Sequence, residues 1–295
     1  MFKKVFGRLG LLTRASIAAA VVLVLAQSAQ ANIILDVSAP GDSASGTGAI
    51  GGTFTAAGVF MQPAGSGVFS PFLRIQQTGQ ERGYNTSDTT GKPPLDDQPP
   101  VGPGKFTRAL QLSEVPIVSI GGVLYREFAL DVNQVGNGLI SLNQVQIFQS
   151  AAPMAASGFS LAEADPTHDA IISFPGTGAN EVFRLNNSQN TAGGLSTNYE
   201  AQINSGNGSG TADMFLYVRN SDFGNQPNSY VTLFSQFGNP SGTYESNAGF
   251  EEWAVREGVP NPVPEPSSIA LACTGLAGLG LAGLRRFRRR PVAIV

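Results

Sequence analysis

Few residues of this chain are suited to acid–base or nucleophilic chemistry. The sequence contains one histidine, His168, and one cysteine, Cys273. A single histidine excludes metal sites built from several imidazoles and leaves one candidate base for a Ser-His-Asp triad. The Gly-x-Ser-x-Gly turn that exposes the nucleophile of many hydrolases does not occur in the sequence. His168 stands in an acidic polar stretch, and we predict that it lies in a solvated turn.

Paired carboxylates perform glycoside hydrolysis, and Glu251 and Glu252 form the most obvious pair in the sequence. Adjacent residues of a strand point to opposite faces of a sheet, so these two are poorly placed to act on one substrate. Trp253 follows them and could stack on a sugar ring. A single tryptophan among apolar neighbours is more often a core residue, and we predict that it is buried. The sequence therefore favours a protein without enzymatic activity or catalytic residues, with a glycan-active enzyme as an alternative.

Oxygen ligands suitable for Ca²⁺ occur in two places. One is the acidic segment 163–169, and the other is the set Asp131, Asn133 and Asn143. Ca²⁺ takes six to eight oxygen ligands, which carboxylates and amides can supply. Neither set has the spacing of an EF-hand loop or of a nonapeptide calcium repeat. Calcium binding is thus a hypothesis, against the alternative of solvated surface residues. No residue is assigned to a metal, and no other cofactor is predicted.

The segments that carry these residues have the pattern of an all-β fold. Across residues 32–259, short apolar runs alternate with turns rich in Gly, Ser, Asn and Thr, and no window of helical period stands out. We predict roughly ten strands packed as two sheets in one β-sandwich or jelly-roll-like domain. The proline-rich segment 92–104 is predicted to be a loop of this domain, because proline cannot pair inside a sheet.

Two hairpins are predicted within the domain. In the first, strand 122–135 is followed by a Gly-Asn-Gly turn and by return strand 139–149. The apolar positions of the return strand change parity, which predicts a β-bulge near Asn143. The second hairpin joins strand 214–219 to strand 230–236. Its first strand is apolar on both faces and is therefore predicted to be central in its sheet.

The first 31 residues are predicted to be a cleaved signal peptide. They begin with scattered Lys and Arg, continue through an apolar stretch, and end in Ala29-Gln30-Ala31, a small-x-small cleavage signal. The apolar stretch would span roughly 18 Å as a helix, well short of the ~30 Å core of a bilayer. We therefore predict cleavage before Asn32 rather than a permanent anchor.

The C-terminal segment, 260–295, has three parts. A linker at 260–268 contains Val263, Pro264, Glu265 and Pro266, and an uncharged apolar run that includes Cys273 occupies 269–284. As a helix this run would span roughly 24 Å, which suits a temporary membrane anchor. The basic end, 285–295, should stay cytoplasmic by the positive-inside rule. Its arginines are Arg285, Arg286, Arg288, Arg289 and Arg290.

Residues 263–290 resemble a PEP-CTERM sorting signal, the tail recognised by exosortase-type membrane enzymes of Gram-negative bacteria that make exopolysaccharide. The resemblance rests on the Val-Pro-Glu-Pro motif, the apolar run and the arginine cluster. It implies export, transient anchoring in the inner membrane, and processing near Pro264 to Pro266. Signal peptidase and an exosortase-type enzyme are the implied partners. The protein would then be released or attached at the cell surface or in the extracellular matrix.

Setting both ends aside changes the charge of the chain. Of the 18 basic residues, four lie in the signal and five follow Leu284, which leaves nine against all 21 acidic residues. The stretch between carries a charge near −12 instead of the total of −3. Such a domain is a poor partner for nucleic acid, whose phosphates need Lys and Arg. We therefore predict a noncatalytic structural or adhesive protein of the surface or exopolysaccharide matrix, with a glycan- or cation-binding module as the alternative.

Overall fold

The computed structural model describes residues 33–39, 41–58, 69–87, 93–96, 106–134, 138–162, 170–186, 199–204, 212–238, 244–247 and 249–257. This part of the chain is all-β, as predicted, with two short 3₁₀ helices at Leu112–Glu114 and Asn220–Asp222. No helix within it is long and apolar enough to cross a bilayer. The predicted signal peptide with Ala29, Ala31 and Asn32, the sorting tail, and His168 lie outside the described residues.

The strands are more numerous than the roughly ten that the sequence pattern predicted. In chain order they are β1 (Ile33–Asp36), β2 (Ser43–Thr47), β3 (Thr53–Gly58), β4 (Phe69–Ile75), β5 (Thr78–Gly79), β6 (Glu81–Tyr84), β7 (Leu110–Gln111), β8 (Ile117–Ile120), β9 (Val123–Asn133), β10 (Leu139–Ser150), β11 (Ser160–Ala162), β12 (Ile171–Ser173), β13 (Asn180–Arg184), β14 (Tyr199–Asn204), β15 (Met214–Arg219), β16 (Tyr230–Phe237), β17 (Ser246–Asn247) and β18 (Phe250–Arg256).

Fourteen of these strands form two sheets of seven. Sheet A has the order β1-β14-β10-β16-β6, with β13 beside β10 and β7 beside β16. In this sheet β1 runs parallel to β14, and the other pairings are antiparallel. Sheet B has the order β2-β3-β15-β9-β18-β4, with β8 beside β9, and is antiparallel throughout. Two small ladders, β11–β12 and β5–β17, accompany the sheets.

Neither predicted hairpin forms. The consecutive strands β9 and β10 belong to sheets B and A respectively, and so do β15 and β16. A strand, a turn and a second strand give the same sequence pattern whether the chain folds back within one sheet or crosses to another. In the fold, β9 pairs with β8, β15 and β18, and β10 pairs with β13, β14 and β16.

A hairpin that the sequence analysis missed joins β8 to β9. Ile120 pairs with Val123 across a two-residue turn formed by Gly121 and Gly122. Both glycines have positive φ, at 59° and 82°, which is the conformation that a tight hairpin turn of this kind requires. The Gly-Gly pair was therefore the usable signal in the sequence.

Two finer predictions are confirmed. The register of β10 against β16 shifts between Leu142 and Gln144, so the bulge lies at Asn143. The bulge allows Ile140 and Ile147, which have opposite parity, to be buried in one core. Strand β15 lies between β3 and β9 and is central in sheet B.

The main core lies between the two sheets. It is one continuous buried cluster that includes Phe128 and Trp253 from sheet B and Ile147 and Leu233 from sheet A. Trp253 has no exposed surface, as predicted, and its indole N–H donates to Ser235 Oγ of the opposite sheet at 3.0 Å. Removal of this apolar surface from water is the dominant contribution to the stability of the sandwich.

The outer face of sheet A carries a further layer that the sequence analysis did not anticipate. The β11–β12 ladder packs there, and Phe174 meets the rings of Tyr84 and Phe148 edge to face at 5.1 Å. Gln146 pairs its side-chain amide with the backbone of Ile172, accepting at 2.8 Å and donating at 3.1 Å. Buried amides of this kind explain how the polar strand β10 can be covered on both faces.

Candidate functional site

Two carboxyl groups meet inside the sandwich, one from each sheet. Glu81 lies on β6 of sheet A, opposite Phe237, and Glu251 lies on β18 of sheet B, opposite Ile75. Both residues have 0% exposure, and their side chains are hydrogen-bonded to each other. Glu81 and Glu251, referred to below as the carboxyl pair, therefore connect the two sheets through the core.

Strand alternation explains the position of each glutamate. On β18, Glu251 shares the inner face with Trp253, whereas Glu252 points outward. On β6, Glu81 shares the inner face with Gly83. A Cβ at Gly83 would lie 2.5 Å from Ile75 Cγ2 of the opposite sheet. The absence of a side chain at this position lets the two sheets approach closely beside the carboxyl pair.

Hydrogen-bond donors surround the carboxyl pair. The Gln77 backbone N–H donates to Glu81 Oε2 at 2.8 Å, and Gln134 Nε2 donates to Glu251 Oε1 at 2.8 Å. Gln134 is oriented by the Asn247 backbone N–H, which donates to its Oε1 at 3.1 Å. These groups favour negative charge on the pair and offer no oxygen for a cation.

The remaining oxygens require a proton between the two groups. Glu81 Oε1 and Glu251 Oε2 are buried and accept no hydrogen bond from a donor among the described residues. Two ionised carboxylates have no hydrogen with which to bond each other, so their contact requires that one of them is protonated. The pair then carries a single negative charge, which the surrounding donors stabilise.

Burial is the main cause of the shifted ionisation of the pair. It raises the pKa of Glu251 to about 7, and the nearby charges of Asp131 and Asp96 add to this rise. Burial together with the charge of Glu251 raises the pKa of Glu81 well above its ordinary value. Since both effects favour the neutral form, the proton is retained at pH values where an exposed glutamate is ionised.

A scan against protein-family models, a search of curated proteins and a search of solved structures each found no match.

The adjacent glutamate, Glu252, has a different partner. As expected from strand alternation, it lies on the outer face, where Arg74 Nε donates to it at 2.7 Å. The Arg74 guanidinium lies 3.3 Å from the ring centroid of Phe106 and 4.1 Å from that of Phe250. Glu252 is the neighbour of Glu251 in the sequence, but the partner of Glu251 in the fold is Glu81, which the sequence could not reveal because β6 and β18 meet only through the fold.

The residues proposed for Ca²⁺ are divided between the two sheets. Asp131 is on β9 and accepts a hydrogen bond from Asn133 Nδ2 at 3.1 Å, whereas Asn143 is on β10 and accepts from Ser141 Oγ at 3.1 Å. The other candidate segment, 163–169, lies outside the described residues. Within the part of the chain that the structure describes, no group of three or more His, Cys, Asp or Glu is arranged to hold a metal ion.

A second charged cluster lies on the outer face of sheet B. Arg256 donates from Nε and Nη2 to the two carboxylate oxygens of Glu127, at 2.9 and 2.8 Å. Tyr217 hydrogen-bonds to Glu127, and Phe215 lies 5.7 Å beneath the guanidinium. Burial raises the pKa of Glu127, and Arg256 opposes that rise. This cluster is a satisfied ion pair and does not have the shared proton of the carboxyl pair.

Proposed function

We propose that this protein is an exported, noncatalytic structural or adhesive component of the cell surface or exopolysaccharide matrix. The observation that carries the noncatalytic part is the complete burial of Glu81 and Glu251. Hydrolysis by two carboxyl groups needs a cleft in which both reach one substrate. The carboxyl pair instead lies between two packed sheets, where the two groups contact each other and other buried protein groups.

The order of segments in the sequence supports the export part of the proposal. A signal helix, a β-sandwich ectodomain of jelly-roll-like type and a C-terminal transmembrane helix would follow one another along the chain. In this proposal the tail resembling a PEP-CTERM signal anchors the protein in the inner membrane until an exosortase-type enzyme processes it near Pro264 to Pro266. The basic residues from Arg285 onward hold the C-terminus on the cytoplasmic side until then.

A glycan-binding role receives less support from the described surface. Sugar rings are commonly held by exposed aromatic side chains. The large apolar side chains that are exposed among the described residues are the aliphatic Ile120, Val123, Leu124 and Leu139. A structural role for the acidic domain therefore remains the preferred proposal.

Mass spectrometry of the protein recovered from the extracellular fraction tests this proposal. We expect a chain that begins at Asn32, ends near Pro264 to Pro266, and lacks Arg290. The matched control is the variant Glu265→Ala, which we expect to stay in the membrane fraction with Arg290 intact. Recovery of an extracellular wild-type chain that still contains Arg290 would refute processing.

A further inference from the structure

We propose that Glu81 and Glu251 form a proton-dependent lock, in which one shared proton holds the β6 edge of sheet A against the β4 edge of sheet B, and that loss of this proton opens that edge. The inference concerns the described domain alone and does not depend on how the chain is sorted.

The position of the carboxyl pair suits a lock. β6 and β4 are the last strands on the main paths of their sheets, and they contact each other across the sandwich. The ladder that closes this corner, β5–β17, has only two residues on each strand. Ser246 on β17 ties the ladder to the pair through Gln77, since its hydroxyl donates to the Gln77 carbonyl at 2.7 Å and the Gln77 N–H donates to Glu81. This corner can separate without breaking the central strands.

The charged groups around the pair make loss of the proton costly. From β9, Asp131 acts on Glu251 with like charge, and so does Asp96, which accepts the Gln76 backbone N–H at 3.0 Å. Strand alternation turns Arg82 of β6, Arg74 of β4 and Glu252 of β18 to the outer faces. The residue of β16 that faces Glu81 is the apolar Phe237. Strands β5 and β17 contain no titratable residue, and Glu245, which precedes β17, is exposed. A second negative charge on the pair would therefore be opposed by two carboxylates within a medium of low dielectric constant.

A proton suits this site better than a metal ion. Ca²⁺ needs six to eight oxygen ligands. The groups fixed around the pair are instead N–H donors from Gln77 and Gln134, which would repel a cation. The bond from Asn247 to Gln134 Oε1 prevents the amide from turning its oxygen toward the carboxyl groups.

The sign of the pH dependence follows from the proton balance. The folded pair keeps its proton at pH values where the same glutamates in the unfolded chain, with pKa values of about 4.3, have lost theirs. The folded state therefore binds more protons than the unfolded state, and stability falls as the pH rises. We expect this fall to begin above the unfolded pKa, to pass about pH 7, where the pKa of Glu251 lies, and to continue above it, because burial and the charge of Glu251 raise the pKa of Glu81 well above its ordinary value.

Thermal unfolding of the full-length chain in a mild non-ionic detergent tests the lock. We expect the Tm of the wild type to fall by roughly 5 to 10 °C between about pH 5 and pH 8.5. Glu251→Gln and Glu81→Gln keep the shape of the side chain but remove the shared proton, and their Tm should change less over this range, with a remaining dependence from the one buried carboxyl group that each variant keeps. The matched control is Glu252→Gln, the neighbour on the opposite face, which should lower the Tm but keep the wild-type pH dependence.

Tryptophan fluorescence reports the opening directly. Trp253 is the only tryptophan of the chain and shares the inner face of β18 with Glu251. Its emission should shift to longer wavelength as the pH rises in the wild type and in Glu252→Gln, but not in Glu251→Gln. An unchanged pH dependence in both pair variants would overturn the lock. So would a rise in Tm at about pH 8.5 on adding Ca²⁺ that is lost in Glu251→Gln, since the pair would then be a cation site.

If the pair variants do not fold, the wild type alone still decides the question. The infrared carbonyl band of a buried protonated carboxyl group should be present at about pH 6, where exposed glutamates are ionised, and should disappear as the pH rises. Absence of that band at about pH 6 would show that no proton is shared and would end the proposal.

Discussion

Buried glutamates on the two faces of sheet B have partners of opposite kind. On the inner face, Glu251 has a carboxyl partner, Glu81, and burial raises the pKa of both groups. On the outer face, Glu252 and Glu127 are each held by an arginine. Glu251 and Glu252 are adjacent in the chain, so neither composition nor local sequence distinguishes them. Their state is decided by whether a guanidinium or a carboxyl group faces them across the fold, since a buried charge must be paired or neutralised.

The largest effect should come from removing the cation of an outer pair. Arg256→Met keeps the apolar stem but leaves Glu127, which is 2% exposed, without its bidentate partner. We expect the free energy of unfolding to fall by about 3 kcal/mol near neutral pH. The pKa of Glu127 should rise further, so the loss should be smaller in acid, where the carboxyl is protonated in both states.

Urea unfolding of this variant at several pH values checks the comparison between the faces. The matched control is Glu114→Gln, which weakens the Arg108–Glu114 ion pair, where the acidic side chain is 37% exposed. That change should cost less than about 1 kcal/mol and should vary little with pH. If Arg256→Met lowers the free energy of unfolding equally at all pH values, the pKa of Glu127 has not risen on loss of its arginine, and the comparison with the carboxyl pair fails.

The next largest effect should come from separating the sheets beside the carboxyl pair. In Gly83→Ala, the new Cβ would lie 2.5 Å from Ile75 Cγ2. We expect a cost of about 2 kcal/mol in the free energy of unfolding, because a filled core accepts an added methyl group only by moving its neighbours.

Gly138→Ala is the control for this substitution. A Cβ there would have no atom within 4 Å, so chemical denaturation should give a stability close to that of the wild type. Equal stability of the two alanine variants would argue against close approach of the sheets at Gly83.

Particular residues show how far the sequence alone could predict this molecule. The alternation of β9 and the parity change at Asn143 indicated strands and a bulge correctly, because both depend on a local period of two. The hairpin partners were wrong because β9 and β15 each have stronger partners far away in sequence. The carboxyl pair could not be predicted for the same reason. Gly83 in an otherwise regular strand was the only local sign of a close approach near Glu81.

A smaller effect should follow from removing one donor of the carboxyl pair. Gln134→Leu eliminates the hydrogen bond to Glu251 Oε1 and leaves that oxygen without this donor. We expect a loss of about 1.5 kcal/mol at about pH 8 and a smaller loss at about pH 5, because the donor stabilises the ionised form. Guanidinium unfolding at the two pH values measures the difference, and a loss that is larger at the lower pH would contradict the assigned role of Gln134.

The smallest effect concerns the geometry of the outer cation. Arg74 donates to Glu252 and lies between the rings of Phe106 and Phe250, an arrangement that uses the flat shape of the guanidinium. Arg74→Lys keeps the charge but loses the stacking and the two-point hydrogen bonding, so we expect a loss of about 1 kcal/mol in thermal or urea unfolding. Glu114→Gln in the exposed Arg108–Glu114 ion pair is again the control and should be close to neutral. If Arg74→Lys is also neutral, a positive charge alone is sufficient to keep Glu252 ionised. If Arg74→Lys is destabilising, the planar guanidinium is required on the outer face, whereas a proton is sufficient on the inner face.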